Sequence, residues 1–400
     1  LQDNIDGLVQ ELVRAQILPV PLQFTALQDV FAYLNTLPQK MVVVIDEYPY
    51  LKAMNESATV DSIFQSIIDN RIANIALIIS GSHIGMMRET LQEKNALYGR
   101  FAATIKLNEL SYLDAAKFYP DKTPYEKAAH YAVFGGSPFV NQMLCPTATL
   151  RENIIHTILN PVSPVYLYAS QLLLSDYAVK INAERIFAVL GNSKKRYTEI
   201  EDKLDAKKTG NLAKQMKPLI DLEIITRNNP INKLGDNKKS GFEINDNLLR
   251  FYFTFLYKNA SALQMLGAEA FYDEYIAPAL TDFISRRFEG ICRDYFSLQA
   301  RAGKGRGVRN IGSYYYDDPV HRKNGEFDVV LEYADGYEIY EAKYYAQPMM
   351  LDEIHREVQQ VEAIRELKVK QLGFIAINGF AEEEGPYTYL NGKDIYAEES

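Results

Sequence analysis

Phe327-Asp328-Val329-Val330-Leu331, followed shortly by Gly336-Tyr337-Glu338-Ile339-Tyr340-Glu341-Ala342-Lys343, decides how the C-terminal part of this chain folds. Both runs are rich in β-branched and aromatic residues, and Asp335-Gly336 between them is a preferred two-residue type I′ turn. With that loop, Ala334 faces Tyr337, Val330 faces Glu341 and Asp328 faces Lys343 across a hairpin. Side chains alternate along a strand, so Asp328, Glu341 and Lys343 are expected on one face. Two carboxylates there can hold one or two divalent cations that bridge a scissile phosphate. Lys343 can orient or deprotonate the attacking water and offset the phosphate's charge. The expectation depends on register, because slipping one strand by a residue turns its side chains to the opposite face.

Upstream, the amphipathic stretch from Phe283 to Tyr295 carries Glu289, a third carboxylate able to approach the hairpin from a helix. Downstream, a helix expected from His355 to Leu367 contains Gln359 and Gln360, polar residues that could line the site, and Gly373-Phe374-Ile375-Ala376-Ile377 reads as a further strand. The pattern Asp-x12-Glu-x-Lys resembles the core signature of PD-(D/E)XK nucleases, with Phe327 where those enzymes have Pro. The resemblance implies catalytic roles for Asp328, Glu341 and Lys343, with Glu289 from the preceding helix, and makes Asp328 and Glu341 the metal ligands. A face of surface salt bridges would use the same residues.

Residues 181 to about 245 have a different character. Ile186, Phe187 and Leu190 make one helical face, ended by Gly191-Asn192-Ser193, and Thr198-x-x-Glu201 is a capping box for a short second helix. A third helix from Thr209 or Gly210 would bury Leu212, Met216 and Leu219 while presenting Lys214 and Lys217. Ile224-Ile225-Thr226-Arg227 and Phe242-Glu243-Ile244 then flank a polar loop with Lys238 and Lys239. Three helices followed by a two-stranded wing is the winged helix-turn-helix plan, in which the third helix enters the major groove. Lys214, Lys217, Lys238 and Lys239 are the expected DNA-phosphate contacts, with the Arg301–Arg309 island as the next candidate. The same plan also serves as an internal packing piece.

Near the N-terminus, Met41-Val42-Val43-Val44-Ile45 and Ile75-Ala76-Leu77-Ile78-Ile79 are apolar runs separated by a helix-compatible segment. They read as parallel strands buried on both faces, joined by a right-handed crossover. Ligands bind at the carboxyl ends of such strands. There the first run gives Asp46-Glu47, the form of a Walker B segment: Asp46 would hold a Mg²⁺ water shell and Glu47 polarise the water attacking a γ-phosphate. The second run leads to Ser82, whose hydroxyl would sit beside the same phosphate. Arg100, in Leu97-Tyr98-Gly99-Arg100, could neutralise developing charge in cis or from a neighbouring subunit of a homo-oligomer. A solvated loop capping the next helix would also begin with Asp46-Glu47. No G-x-x-x-x-G-K-[ST] occurs in the 400 residues, and Gly135-Gly136-Ser137-Pro138 has no lysine to replace it.

Composition frames these parts. Hydrophobic residues make up 47% and charged residues 24%, which excludes wholesale disorder or a fibrous repeat. The net charge of −9 argues against blanket nucleic-acid coating, so basic islands such as Lys194-Lys195-Arg196 are read locally. No apolar stretch approaches the roughly 20 residues a bilayer crossing needs, and no signal peptide opens the chain. No membrane partner and a cytoplasmic location are expected. Cys145 and Cys292 support neither a disulfide framework nor a cysteine zinc site.

Taken together, Val42 to Leu51 with Asp46-Glu47, Ser80-Gly81-Ser82, Leu97 to Arg100, Phe134 to Pro138, Gly191-Asn192, Asp246 to Phe253, Phe288-Glu289 and Glu341-Ala342-Lys343 resemble the archaeal-type ATPase family. The resemblance implies a multidomain α/β chain: a partial AAA-like P-loop domain over 1–150, a helical linker and winged helix over 151–260, and a PD-(D/E)XK nuclease-like domain over 261–400. It implies ATP and Mg²⁺ as cofactors, with a Walker A segment standing upstream of Leu1, and DNA as partner. The expected function is an ATP-dependent, DNA-acting protein coupling an ATPase to a metal-dependent nuclease-like domain. The alternative is a signalling or regulatory ATPase whose C-terminal domain only docks DNA or a protein partner.

Overall fold

The computed structural model describes residues 2–397 apart from 54–56, 71, 83, 172–182, 192, 207–210, 319–322 and 365–366. Two compact units are present, Leu1–Leu107 and Asn108–Ser400. Residues 108–150 thus pack within the second unit, and so do both segments expected to follow them. Among the described residues no helix is long and apolar enough to cross a membrane.

In the first unit, α1 (Gln2–Arg14) and α2 (Leu27–Thr36) bury the apolar stripes that their sequences space at helical intervals: Ile5, Val9 and Leu12, then Leu27, Val30, Phe31 and Leu34. Strand β1 (Met41–Ile45) pairs in parallel with β2 (Ile75–Ile79), placing Ile45 beside Ile79. Between them run α3 (Tyr48–Ala53) and α4 (Ser57–Asp69). One face of the sheet packs on the helices through Val43 and Ile75. The other departs from the expected two-sided burial: Val42, Val44 and Ile78 are 62%, 57% and 51% exposed. A purely apolar run does not distinguish the two cases, because the pattern records which residues tolerate burial and not which find a cover.

The second unit begins with α5 (Tyr112–Ala116), α6 (Pro124–Phe134) and α7 (Pro138–Gln142). Next comes a three-helix, three-strand module: α8 (Ala183–Leu190), β3 (Lys195–Arg196), α9 (Tyr197–Lys203), α10 (Leu212–Asp221), β4 (Ile225–Asn228) and β5 (Gly241–Ile244), with β5 central in the order β3-β5-β4. Ile186, Phe187, Leu190, Ile200, Leu212, Met216 and Leu219 close its core. Helix α9 starts a residue earlier than Thr198: Glu199 accepts the backbone N–H of Arg196 at 2.6 Å, so the cap is Arg196–Glu199 and not Thr198–Glu201. Helix α8 ends at Leu190, immediately before the expected stop Gly191-Asn192-Ser193, of which Asn192 lies outside the described residues, as does the expected helix start at Thr209 or Gly210.

The remainder is a five-stranded sheet of order β10-β9-β8-β7-β6, made of β6 (Asn310–Asp318), β7 (Lys323–Glu332), β8 (Tyr337–Lys343), β9 (Val369–Ala376) and β10 (Thr388–Asn391). Strands β6, β7 and β8 are antiparallel neighbours, while β9 runs parallel to β8 and β10. The long α11 (Ala277–Arg301) covers one face, where Phe288 and Phe296 meet Val329, Leu331 and Tyr340; α12 (Leu351–Glu362) covers the other, over Phe327, Val330, Ile339 and Phe374. Helix α12 therefore begins and ends earlier than the span from His355 to Leu367.

Helix α6 belongs to the same core as α11, and Tyr344 ties it to the sheet by stacking on Tyr125 at 4.4 Å and donating to its carbonyl at 3.0 Å. Two of the module's attachments to the rest of the unit involve β5 and the loop before it. The loop between β4 and β5 reaches the edge strand β6: Asn232 exchanges two hydrogen bonds with the backbone of Tyr315, at 2.8 and 3.0 Å, and Ile231 is buried in the core beneath α12. At the other, Glu243 on β5 meets Arg250 at 3.0 Å and Arg287 of α11 at 3.8 Å.

Candidate functional site

The β7–β8 hairpin differs from the expected register by two residues. Tyr333 donates to the Gly336 carbonyl at 2.9 Å, so the loop is Ala334-Asp335, and Val330 faces Ile339 while Val329 faces Tyr340. Gly336 is not needed for a turn there; a Cβ on it would lie 2.5 Å from the Lys368 carbonyl, where the chain enters β9. An even shift preserves strand parity. Pairing of β7 with β8 stops at Val329–Tyr340, and beyond it β8 continues against β9 while β7 continues against β6. On β7 the step from Val330 to Phe327 matches only Gly312 to Tyr314 on β6, which makes Asp328-Val329 a bulge. Bulges re-aim side chains and loosen pairing. Asp328, Glu341 and Lys343 occupy the place where the two strands part.

Charged groups from both strands and both covering helices gather around this opening. Lys343 Nζ is 2.6 Å from Glu341 Oε1 and 3.1 Å from Glu357 Oε1 on α12. On α11, Glu289 stands one helical turn before Arg293, which donates to the Asp328 carbonyl at 2.7 Å. Burial pushes the Glu289 carboxyl up to about 8, with Asp328 and Glu341 adding to the shift and Arg293 opposing it. Burial likewise pushes Glu341 up to about 7, against the pull of Lys343. Asp328 is raised by burial too, with Arg293 opposing and Glu326 adding to it. Burial pulls the Lys343 ammonium down, but Glu341 and Glu357 outweigh it and hold the group above the ordinary lysine value. Carboxylates that share a poorly solvated space and raise one another's proton affinity are the charge pattern a divalent cation relieves. Their hard oxygen donors suit such an ion chemically. Among the described residues, however, no three His, Cys, Asp or Glu side chains are arranged to hold a metal as they stand.

Sequence did not bring Arg293, Glu357 or Glu326 to the site and gave Lys194 only as part of a basic island; Arg293 and Lys194 oppose the rise of its carboxyls, while Glu326 and Glu357 add to it. Arg293 carried a signal in its helical spacing from Glu289. The glutamines singled out on α12 lie elsewhere. Both are exposed, and Gln360 donates to the Tyr316 hydroxyl at 2.7 Å, while Glu357 of the same helix reaches Lys343.

In the first unit, parallel pairing brings the ends of β1 and β2 together. Ser80 Oγ donates to Asp46 Oδ1 at 2.5 Å, and Ser82 donates to Glu47 Oε2 from its N–H at 3.2 Å and its hydroxyl at 3.1 Å. Glu47 adopts φ +50°, an uncommon backbone for a residue with a side chain, and this turn sends Tyr48 into the core. Beneath it, Asp61 accepts from Tyr48 Oη at 2.6 Å, Lys52 Nζ at 2.8 Å and Asn95 Nδ2 at 2.8 Å. The buried network anchors the turn while Asp46 remains open to solvent. Arg100 is held elsewhere: Nε and Nη2 pair with the two oxygens of Asp69 on α4 at 2.9 Å each. Among the described residues no hydrogen bond or ion pair joins it to Asp46, Glu47 or Ser82.

Of the four lysines considered for DNA, Lys214, Lys217 and Lys238 are exposed on α10 and the β4–β5 loop. Lys217 and Lys238 line a cavity of about 660 Å³ together with Arg196, Arg227, Tyr197 and Phe242. Lys239 instead sits 3.7 Å over the Tyr315 ring, within the contact between module and sheet.

Comparison with known proteins bears on two segments. An uncharacterized protein of Methanocaldococcus jannaschii is 29% identical over 276 residues, covering 68% of this chain, which spans about 60% of the length of that relative. Can2 from Sulfobacillus thermosulfidooxidans, solved in complex with cyclic tetra-adenylate, matches at 11% identity over 87% of this chain and 83% of its own; the TM-score of 0.17 is too low to support a shared fold. Residues 252–359 match a family described as archaeal and bacterial proteins of unknown function. Residues 3–140 match a family described as an ATPase domain predominantly from Archaea. The two family matches support an archaeal-type ATPase family, with the ATPase domain in the N-terminal part of the chain.

Proposed function

We propose that this chain is an ATP-dependent, DNA-acting protein in which a P-loop-type ATPase is coupled to a metal-dependent nuclease-like domain of PD-(D/E)XK type. The observation that carries the reading is that Asp328 and Glu341 stand where β7 and β8 part, with Lys343 2.6 Å from Glu341 and Arg293, one turn after Glu289 on α11, donating to the Asp328 carbonyl. Asp328 and Glu341 would hold Mg²⁺ or Mn²⁺, which when bound offsets charge on a scissile phosphate and acidifies a water. Lys343 supplies a second positive group, and reaching a phosphate requires it to leave Glu357 or Glu341. Glu289 would approach the same opening from α11, with burial favouring its protonated form.

In the ATPase part, Asp46 would hold the Mg²⁺ water shell, Glu47 would orient the attacking water and Ser82 would contact the γ-phosphate. Arg100 would serve as a finger only after leaving Asp69. No Walker A pattern occurs within the 400 residues, so these assignments cover the metal and the attacking water and not the cradle of the β-phosphate. The three-helix, three-strand module is a winged helix in this reading, with α10 in the major groove and Lys214, Lys217 and Lys238 on phosphates. Lys239 is the weakest of the four, being engaged with Tyr315.

A second reading draws on a different observation: Lys343 is already paired on two sides, and no three-residue metal cage stands ready among the described residues. It makes the chain a signalling or regulatory ATPase whose C-terminal domain only docks DNA or a protein. Incubating the full chain with linear, single-stranded and supercoiled DNA, in Mg²⁺ or Mn²⁺ and with or without ATP, separates the two. Cleavage that disappears in Asp328→Asn and Glu341→Gln supports the nuclease. Binding without metal-dependent cleavage of any form favours the docking role.

A further inference from the structure

Lys194 lies just before β3, in the three-helix, three-strand module, yet its ammonium belongs to the acidic site of the sheet. Nζ is 2.8 Å from both carboxylate oxygens of Glu326, two positions before Asp328 on β7. The fold makes room for this reach. Gly241 on β5 stands beside the lysine stem, and a Cβ there would lie 2.4 Å from both Cγ and Cδ of Lys194. The neighbouring anchors of Asn232 on Tyr315 and Ile231 under α12 hold the module against the same sheet. Glu326 also accepts from Ser313 Oγ, so its carboxylate keeps a partner if the lysine departs. Both members of the pair remain partly solvent-accessible, Lys194 at 34% and Glu326 at 24%. A strut built only for stability has no need of that access.

We propose that Lys194 is a phosphate-binding arm lent to the acidic site by the module: it rests on Glu326 until a nucleic-acid phosphate takes its ammonium. The inference depends on the reading that the opening between β7 and β8 receives nucleic acid. It adds a second lysine to Lys343, from an element far away in sequence, and makes substrate affinity depend on how the module is seated.

The test measures binding of a short fluorescein-labelled duplex, and of the corresponding single strand, to the full chain in Ca²⁺, which supports binding while suppressing turnover. Lys194→Ala should weaken binding several-fold and reduce the slope of log affinity against log salt by about one, the signature of one lost phosphate contact. Lys194→Arg should restore most of the loss. Gly241→Ala, which keeps the charge but displaces its stem, should fall between the two. Equal affinity in Lys194→Ala, an arginine variant no better than alanine, or no binding by the unaltered chain would each overturn the arm. Cleavage in Mg²⁺ is scored separately. Lys194-dependent binding without cleavage leaves the arm and removes the nuclease, whereas cleavage indifferent to Lys194 in affinity and salt slope removes the arm alone.

Discussion

The strand ends of the first unit and the opening between β7 and β8 both gather carboxylates, but they are assembled over different distances in sequence. Asp46 and Glu47 are neighbours, and their donors Ser80 and Ser82 follow the next strand of the same parallel pair. Glu289, Asp328 and Glu341 come from a helix and two strands, and their cations come from α11, β8 and the distant module. The first arrangement is complete once two strands pair. The second exists only when the whole of the second unit is packed, and burial there shifts proton affinities. A site made by tertiary packing is correspondingly open to disruption from outside itself.

The largest expected effect breaks the support of the first arrangement. Lys52 and Asp61 form an ion pair with side chains only 2% and 5% exposed. Lys52→Ala leaves a buried carboxylate with hydroxyl and amide partners alone, and should cost about 3–5 kcal/mol. Urea unfolding should show the loss, and hydrogen exchange should place it within residues 1–107. Ile231→Ala strikes the second arrangement from the module side. Ile231 is 5% exposed in the core under α12, and its truncation should cost about 2–4 kcal/mol. If the site depends on that seat, DNA affinity falls with it. Unchanged affinity in a protein of lowered melting temperature would separate seat from site.

Next in size is a pH effect confined to the second arrangement. Glu289 and Glu341 have folded values raised to about 8 and about 7. Both carboxyls keep protons in the fold that the unfolded chain has released. Their contribution is therefore present below the ordinary carboxylate range and is lost as pH rises through about 7 to 8. Without divalent metal, stability should fall by on the order of 2 kcal/mol between pH 7 and 9. Glu289→Gln should flatten the curve, and Mg²⁺ or Mn²⁺ should oppose the fall at high pH because it binds the deprotonated carboxylates. A flat profile in the unaltered protein would mean that the three carboxylates are better solvated than their positions suggest. The smallest effect is Ser80→Ala, which removes one accessible hydroxyl from Asp46 and should change stability by about 1 kcal/mol or less.

Much of the local structure was legible in the residues. The stripes of α1 and α2, the two apolar strands with polar ends, and the hairpin followed by a helix and a further strand all follow from spacing. Short-range pattern also placed Glu289 on a helix ahead of the hairpin. The register was misread because Gly336 resembles a turn residue, whereas its missing Cβ serves a close approach to Lys368. That contact is long-range, and no local pattern announces it. Strand β1 was misread for a related reason, since Val42 and Val44 are equally apolar whether or not anything covers them.

Sequence alone determined which side-chain types stand at which spacing and which periodicity each segment follows, because side-chain type and backbone propensity are properties of the chain itself. It determined the adjacency of Asp46 to Glu47 and the even spacing of Glu341 and Lys343. Tertiary structure decided what those groups meet: Asp69 for Arg100, Glu357 for Lys343, Glu326 for Lys194, and a bulge at Asp328 that parts β7 from β8. Electrostatic partnership and burial depend on distance in space, and residues such as Lys194 and Glu326 are brought within 2.8 Å only by packing one module on another's sheet.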